Sequence, residues 1–194
     1  MSVYQWIMIT EREPVLVDVD EVLGDFQTPA LKIMSQVTGQ RYQPGDFTTW
    51  DIFGVLSKPE LDEVFKRIGC DGFASCLEPT PGSQDFIREL SKMAKVYIVT
   101  SPFPSRTWAS ERTKWVKDHF DIPGKQVIHT AAKYLVRGRA LLDDKPEHTE
   151  NWLKNNPKEL AMLWHIPNTR TIEHPNRVKT WDEALSQIEK HLCP

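Results

Sequence analysis

The sequence has few of the features that mark disulfide-stapled, exported or membrane proteins. Its 194 residues include three cysteines, whose spacing forms no metal site and whose odd number favours a reducing compartment. No apolar run is long enough to cross a bilayer. The segment Met1 to Thr10 lacks the basic lead and small-residue cleavage site of an export signal. We therefore expect a soluble, cytoplasmic protein.

Excess positive charge is also missing. The formal net charge is −3 and the pI is near 6.1, so the chain offers no basic surface for a nucleic-acid polymer or an anionic membrane. No internal repeat or low-complexity tract is visible. A chain of this length can bury a substantial core without disulfides, and we expect one domain or one domain with an inserted lobe.

Short apolar runs alternate with helical patterns along most of the chain. This alternation predicts a Rossmann-like α/β fold, in which helices flank a parallel sheet. The predicted strands are Val15–Val19, Val96–Thr100, Gln126–Thr130, Ala140–Leu142 and Leu160–Trp164. Apolar residues at helical spacing predict helices over Gln84–Ala94, Pro104–Phe120 and Trp181–Leu192.

The stretch from Phe26 to about Leu77 interrupts this alternation. Its short helical patterns are Pro29–Thr38, Phe47–Leu56 and Pro59–Ile68. The stretch is too long for a simple crossover between strands and too apolar for a disordered linker. We expect a small helical cap over residues 27–76, inserted after the first strand into a core made of residues 1–26 and 77–194. Such a cap would cover the strand ends and exclude water.

Four carboxylates follow two of the predicted strands. Asp18 and Asp20 come at the end of the first strand, and Asp143 and Asp144 follow Ala140–Leu142. Ligand sites in parallel sheets lie at the carboxyl ends of strands, and clustered acids there require a positive partner, for which Mg²⁺ with oxygen ligands is suited. Taken alone, the first pair also fits the cap of a loop or helix, and Asp-Asp-Lys-Pro also fits a turn.

These groups suit phosphate chemistry. A carboxylate can attack phosphorus, and a second one can protonate the leaving oxygen and then deprotonate water. Thr100 and Ser101 end another strand with hydroxyl donors, and Lys133 follows a further strand with a charge that can hold a phosphate. Each has a structural alternative, namely a turn for the hydroxyls and a solvated surface charge for the lysine.

The groups occur in a fixed order along the chain: Asp-x-Asp, Thr/Ser, Lys and Asp-Asp, each after a strand. Six segments add detail to this order: Asp18–Phe26, Leu77–Gly82, Val99–Pro102, Lys114–His119, Leu142–Lys145 and Arg177–Asp182. The whole pattern resembles the haloacid dehalogenase-like (HAD-like) phosphohydrolases and, within them, the 5'(3')-deoxyribonucleotidase family. The resemblance extends from about Pro14 onward.

The resemblance implies roles for the polar residues. Asp18 would be the nucleophile and Asp20 the general acid/base. Mg²⁺ would be held by the Asp18 carboxylate, the Asp20 backbone carbonyl and the Asp144 side chain, with Asp143 in support. The phosphate would be bound by Thr100, Ser101 and Lys133.

The resemblance also implies that aromatic residues contact the nucleoside. Phe26 matches an aromatic that lines the nucleoside pocket. Our candidates on the cap are Phe47, Trp50, Phe53 and Phe73, for which ordinary packing inside the cap is the alternative.

Two residues depart from the family pattern. Glu21 stands where these enzymes usually have glycine, and Ala131 stands where relatives have arginine two residues before the lysine. Glu21 adds negative charge beside an anionic substrate, and its side chain would either face solvent or reach the cap. These departures bear on substrate preference.

We therefore expect a Mg²⁺-dependent phosphomonoesterase that hydrolyses (deoxy)nucleoside monophosphates, its small-molecule substrates, through an aspartyl-phosphate. The alternatives are a HAD phosphatase for another small phosphate ester, a phospho-accepting receiver domain and a catalytically idle binding protein. In a receiver the paired acids come early and the lysine last, whereas here Asp143 and Asp144 follow Lys133. The sequence leaves the assembly open, with a homodimer as one option.

Overall fold

A parallel six-stranded sheet lies at the centre of the structure, a computed structural model that describes residues 14–193. The strands lie in the spatial order β3-β2-β1-β4-β5-β6, and every neighbouring pair is parallel. They are β1 Val15–Val17, β2 Val96–Thr100, β3 Val127–His129, β4 Ala140–Asp143, β5 Leu160–Trp164 and β6 Arg177–Val178. The predicted Rossmann-like α/β class is confirmed.

The central strand β1 is apolar on both faces because helices cover both faces of the sheet. Val15 and Val17 pack into the larger apolar cluster on one side, and Leu16 packs into a smaller cluster on the other. All three side chains are fully buried. This burial explains why the strand is a continuous apolar run that ends at the first charged residue, Asp18.

Six α-helices surround the sheet or extend from it within the described residues. Three of them lie between β1 and β2, and the first two of these three lie in the segment predicted to be a cap. The helices are α1 Gln27–Thr38, α2 Lys58–Ile68, α3 Ser83–Met93, α4 Trp108–Phe120, α5 Pro146–Asn155 and α6 Trp181–Leu192, together with short 3₁₀ turns. Helices α3, α4 and α6 cover the larger cluster, and α5 covers the smaller one through Trp152.

A 3₁₀ helix, Phe53–Val55, lies between α1 and α2. The three remaining 3₁₀ turns, in loops beside the sheet, are Gly124–Gln126, Lys133–Leu135 and Pro167–Thr169. Helices α1 and α2 pack on each other and, with Trp108 of α4, form an apolar cluster separate from the two sheet clusters. The helical segment expected after the first strand is therefore present, and the exact cap boundaries of 27–76 stay a prediction.

The predicted helix over Phe47–Leu56 is wrong, because only Phe53–Val55 is helical there. The Asp51 side chain accepts a hydrogen bond from the backbone N–H of Phe53 at 2.9 Å. Such a side-chain bond gives the backbone an alternative to a helical turn. The residues before it, from Gln40 to Asp51, form irregular backbone.

Other differences concern the ends of elements. The predicted strand Val15–Val19 ends at Val17, and helix α4 begins at Trp108 instead of Pro104. The sequence patterns also gave no indication of α5 or of the two-residue strand β6. No helix within residues 14–193 has the length and apolarity needed to span a membrane. The export-signal prediction concerns residues that lie outside the described range.

Candidate active site

The two acidic pairs lie side by side at one edge of the sheet. β1 and β4 are neighbours, with Val17 opposite Leu142. The backbone N–H of Asp18 donates to the Leu142 carbonyl at 2.9 Å, and β4 ends at Asp143. Parallel pairing therefore brings together carboxylates that are more than a hundred positions apart in the sequence.

Lys133 joins two of these carboxylates. Its Nζ lies 2.7 Å from Asp18 Oδ2 and 2.7 Å from Asp143 Oδ2, and its side chain is buried. Burial alone would lower the pKa of Lys133, but the charges of Asp143 and Asp18 raise it above its usual value. The ammonium group is thus a permanent positive charge beside Asp18.

Asp143 is held by several partners at once. Besides Lys133, its Oδ1 accepts from the backbone N–H of Lys145 at 2.9 Å, and His148 Nδ1 lies 3.2 Å from both carboxylate oxygens. Burial would raise the pKa of Asp143, but Lys133 and the His148 hydrogen bond hold it well below its usual range. This carboxylate is therefore ionised and fixed in place.

Asp18, Asp143 and His148 each offer an atom within 4.8 Å of the other two, which is a spacing that a metal ion could use. However, Lys133 is already paired with both carboxylates of this trio. The trio is better explained as the hydrogen-bonded support of Asp18 than as the cation site itself.

Asp144 differs from Asp143 because it has no cationic partner within the described residues. Burial, followed by the negative charges of Asp143 and Asp18, raises the pKa of Asp144 well above its usual value. The Trp50 indole N–H donates to its Oδ2 at 2.7 Å. Burial also raises the pKa of Asp18 to about 6, against the attraction of Lys133. A hard cation bound to these oxygens would relieve this excess of negative charge.

Asp20 is paired with an arginine that sequence patterns did not identify. Arg112 Nη2 lies 2.5 Å from Asp20 Oδ1, and its guanidinium is buried between the rings of Trp108 and Trp115, at 5.1 and 5.4 Å from their centroids. Burial raises the pKa of Asp20, and Arg112 opposes this shift. The spacing of Trp108, Arg112 and Trp115 places all three on one helix face, which is the only sequence signal for this pair.

Two hydroxyl groups complete the polar floor. Thr100 is the last residue of β2, and Ser101 follows it. Neither Thr100 Oγ1 nor Ser101 Oγ has a hydrogen-bond partner within residues 14–193, although both atoms are buried. Buried hydroxyls normally find a partner. Ser101 also lines the cavity above this floor, whereas Thr100 and Lys133 lie buried beneath it and do not line it.

A cavity of about 520 Å³ opens above this floor, within the size range of small-molecule sites. Asp18, Asp20, Ser101 and Asp144 line its polar side. Its apolar side consists mainly of aromatic rings, from Phe26, Trp50, Phe53, Phe65, Phe103 and Trp108.

Phe47 and Phe73, which the sequence suggested as substrate contacts, do not line this cavity. Phe47 is buried in the cap cluster, and its ring packs near Tyr42. Phe73 stacks on Trp108 at a centroid distance of 5.9 Å, behind the aromatic wall. The structure thus gives both rings a packing role within the apolar cluster of the cap.

Glu21 reaches the cap instead of solvent. Its backbone has a positive φ of 61°, a region that glycine occupies more easily than other residues. Its Oε1 accepts from the backbone N–H of Gln27, the first residue of α1, at 2.6 Å. Burial raises the pKa of Glu21 to about 7. The favourable position of a carboxylate at a helix N-terminus helps to offset the backbone strain.

Known proteins are similar to this chain in sequence and in fold. The family model described as 5' nucleotidase, deoxy (pyrimidine), cytosolic type C protein matches residues 12–192. A 5'(3')-deoxyribonucleotidase of Bacillus subtilis strain 168 is 23% identical over 182 residues, covering 93% of this chain and 99% of that protein. The human cytosolic-type 5'(3')-deoxyribonucleotidase is 30% identical over 152 residues, covering 71% and 76%.

Solved structures support the fold. A HAD family hydrolase from Deinococcus radiodurans R1, solved with bound phosphate and sodium, matches with a TM-score of 0.60 and 15% identity, covering 94% of this chain and 98% of that one. A haloacid dehalogenase-like hydrolase from Burkholderia xenovorans LB400 matches with a TM-score of 0.61. The family resemblance predicted from the sequence is confirmed. This chain is a phosphatase with a HAD-like fold and belongs to the 5' nucleotidase, deoxy (pyrimidine), cytosolic type C family.

Proposed function

We propose that this phosphatase is a Mg²⁺-dependent phosphomonoesterase that converts (deoxy)nucleoside monophosphates into nucleoside and phosphate. One observation carries the proposal: Asp18, Asp20 and the free Ser101 hydroxyl form the floor of a cavity whose walls are aromatic. A phosphate group suits the polar floor, and a base suits the aromatic walls. The names of the related deoxyribonucleotidases support the same substrate class.

In the proposed reaction Asp18 is the nucleophile. One of its carboxylate oxygens attacks phosphorus, and the bond between phosphorus and the nucleoside oxygen breaks. Asp20, in its protonated form, gives its proton to that leaving oxygen. The raised pKa of Asp20 favours this protonated form. The products of the step are the free nucleoside and an aspartyl-phosphate on Asp18.

The second step regenerates the enzyme. Asp20 is now a carboxylate and takes a proton from a water molecule, whose oxygen attacks the phosphorus. The bond between phosphorus and the Asp18 oxygen then breaks, which releases inorganic phosphate. Arg112 keeps the Asp20 carboxylate in one position throughout, because it contacts Asp20 from a fully buried site.

We propose that the metal is held by the carboxylates of Asp18 and Asp144 and by the backbone carbonyl of Asp20, with Asp143 in support. These oxygen donors fit Mg²⁺, and the uncompensated charge at Asp144 fits any hard cation. When bound, Mg²⁺ would neutralise charge on the phosphate and on the attacking carboxylate.

We propose that Thr100, Ser101 and Lys133 bind the phosphate oxygens. The two hydroxyls support this role because they lack partners in the free protein. Lys133 supports it because its charge is maintained beside the nucleophile. Together these groups would balance the negative charge that the phosphate brings.

Substrate selection is assigned to the segment between β1 and α3, which we propose as a cap over residues 27–76. Phe26, Trp50 and Phe53 line the cavity and are proposed to contact the nucleoside. Phe47 and Phe73 would contribute by supporting the other rings. We also propose that the protein acts in the cytoplasm, as the relative named cytosolic type does.

The test is turnover of a panel of dNMPs, NMPs and sugar phosphates in the presence of Mg²⁺, by phosphate release. We expect hydrolysis of nucleoside monophosphates and its loss in excess EDTA. Turnover of sugar phosphates alone would contradict the proposed substrate, and activity in excess EDTA would contradict the metal requirement.

A second experiment tests the intermediate. Asp20→Asn should slow its hydrolysis, so that a phosphorylated protein accumulates or beryllofluoride is trapped on Asp18. The matched control is Asp18→Asn, which has no carboxylate to phosphorylate. A phosphorylated Asp18→Asn protein would exclude Asp18 as the nucleophile.

A further inference from the structure

We propose that Trp50 is a positioning residue for the metal site, and that metal affinity depends on the cap segment 43–52 lying against the core. In this view the Trp50 indole N–H fixes the orientation of the Asp144 carboxylate. The inference rests on the proposed function in one respect, namely that Asp144 is a metal ligand.

The first observation is the hydrogen bond between cap and core. Trp50 Nε1 donates to Asp144 Oδ2 at 2.7 Å. An indole N–H is a donor only, so the Trp50 nitrogen cannot itself be a metal ligand. Its bond leaves Asp144 Oδ1 without a hydrogen bond within residues 14–193. A donor that engages one oxygen and leaves the other free holds the carboxylate in one orientation toward the cavity.

The second observation is that the indole is held from the core side as well. Lys145 Nζ lies over the Trp50 ring at 4.4 Å from its centroid, a distance typical of a cation–π interaction. Lys145 directly follows Asp144 in the sequence. The edge of the indole is therefore bound by one core residue and its face by the next, although Trp50 remains 38% exposed.

The third observation is a separate anchor on the same segment. Arg170, which lies beyond β5 in the core, donates from Nη1 to the backbone carbonyls of Gly45 and Phe47, at 3.2 Å each. The segment 43–52 contains no helix or strand, so its path depends on such contacts. Core residues thus bind the segment at both ends.

These contacts link the binding of the metal to the docking of segment 43–52 against the core. If docking of this segment against the core strengthens metal binding by a certain free energy, then bound metal must stabilise the docked segment by the same free energy. The residues that cover the cavity would then be most ordered when the metal is in place. A substrate would then bind to a site in which the metal and segment 43–52 are already in place.

The decisive variant is Trp50→Phe, which keeps an aromatic ring but removes the N–H donor. Isothermal titration of Mg²⁺ into the substrate-free protein should give a dissociation constant about tenfold weaker than wild type, as is typical when the partner of a metal ligand is removed.

Two further variants distinguish the positioning of Asp144 by Trp50 from a general disturbance of the cavity wall. Phe53→Leu alters the same cavity wall without touching Asp144, so its Mg²⁺ affinity should equal that of wild type. Arg170→Met loosens the distant anchor without touching the cavity, so its Mg²⁺ affinity should fall, by less than that of Trp50→Phe. Hydrogen exchange of residues 43–52 should slow when Mg²⁺ is added to the wild type and slow less in Arg170→Met.

The outcomes distinguish this inference from the proposed function. A folded Trp50→Phe protein that binds Mg²⁺ within twofold of wild type would overturn the positioning role while leaving the metal site intact. A wild type that binds no Mg²⁺ would overturn both. Equal losses of affinity in Trp50→Phe and Phe53→Leu would also overturn it, because the effect would then come from the wall as a whole.

Discussion

The floor and the walls of the cavity are built in different ways. Asp18, Thr100 and Asp143 stand at the ends of adjacent strands, so backbone pairing determines where they lie. The walls come from irregular segments and helix surfaces, where Trp50 and Phe53 are placed by side-chain contacts. The positions of the floor residues are therefore fixed by the sheet, while the positions of the wall residues depend on how the cap packs.

This difference separates two kinds of specificity. Phosphate chemistry needs charges and donors at fixed positions, which strand ends provide. Recognition of the remaining part of a substrate needs only a surface of suitable shape, which a variable segment provides. Changes in the floor should therefore reduce the rate for every substrate, and changes in the walls should alter the choice among substrates.

Asp18→Asn should have the largest effect on activity. An amide cannot form the acyl phosphate, so kcat should fall by at least about 10⁴-fold for every substrate. Phosphate release measures the loss, and Asp85→Asn, at an exposed position of helix α3, should behave as wild type. Loss for nucleotides but not for sugar phosphates would contradict a floor common to all substrates.

Lys133→Met should have the largest effect on stability. It leaves the buried carboxylates of Asp18 and Asp143 without their shared cation, and breaking such a pair costs about 3–5 kcal/mol. Urea unfolding should show this loss, whereas Lys92→Met, which removes an exposed pair with Glu89, should change stability by less than about 1 kcal/mol. Equal losses of stability in the two variants would mean that the ion pairs of the floor contribute no more to stability than an exposed pair does.

Ser101→Ala should reduce kcat/KM about tenfold, the worth of one hydrogen bond to a charged group. Its stability should be nearly unchanged, because the hydroxyl has no partner to lose in the free protein. Measurement of kcat/KM, together with inhibition by inorganic phosphate, tests this expectation. A large loss of stability with normal phosphate inhibition would assign Ser101 to the scaffold.

Phe53→Leu should have the smallest effect and the most selective one. Loss of an aromatic contact with the base should raise KM for nucleotides by about threefold. KM for a sugar phosphate, which has no base to stack, should not change. Parallel shifts for both substrate classes would remove the distinction between floor and walls.

The polar floor was largely predictable from the sequence. Buried parallel strands appear as short apolar runs, and polar residues at their ends stand out against such runs. His148 was missed because it lies on the first turn of α5, where a histidine has no distinctive neighbours. Arg112 was missed because its role depends on the distance to Asp20, which no local pattern reveals.

The walls were less predictable. A phenylalanine in an apolar segment can face a cavity or a core, and the sequence pattern is the same in both cases. Phe53 faces the cavity while Phe47 faces the cap cluster, and the difference follows from the irregular backbone around Asp51. Tertiary packing decides such cases, and a single sequence contains little information about it.

The placement of β1 between β2 and β4 has a consequence for folding of the nascent chain during synthesis. The acidic floor requires strands from early and late parts of the polypeptide, and contacts between distant segments form only after the intervening chain exists. During synthesis, Asp18 must wait until Asp143 and Asp144 have left the ribosome. We therefore expect nascent chains that stop short of β4 to be without activity, however well their first helices have formed.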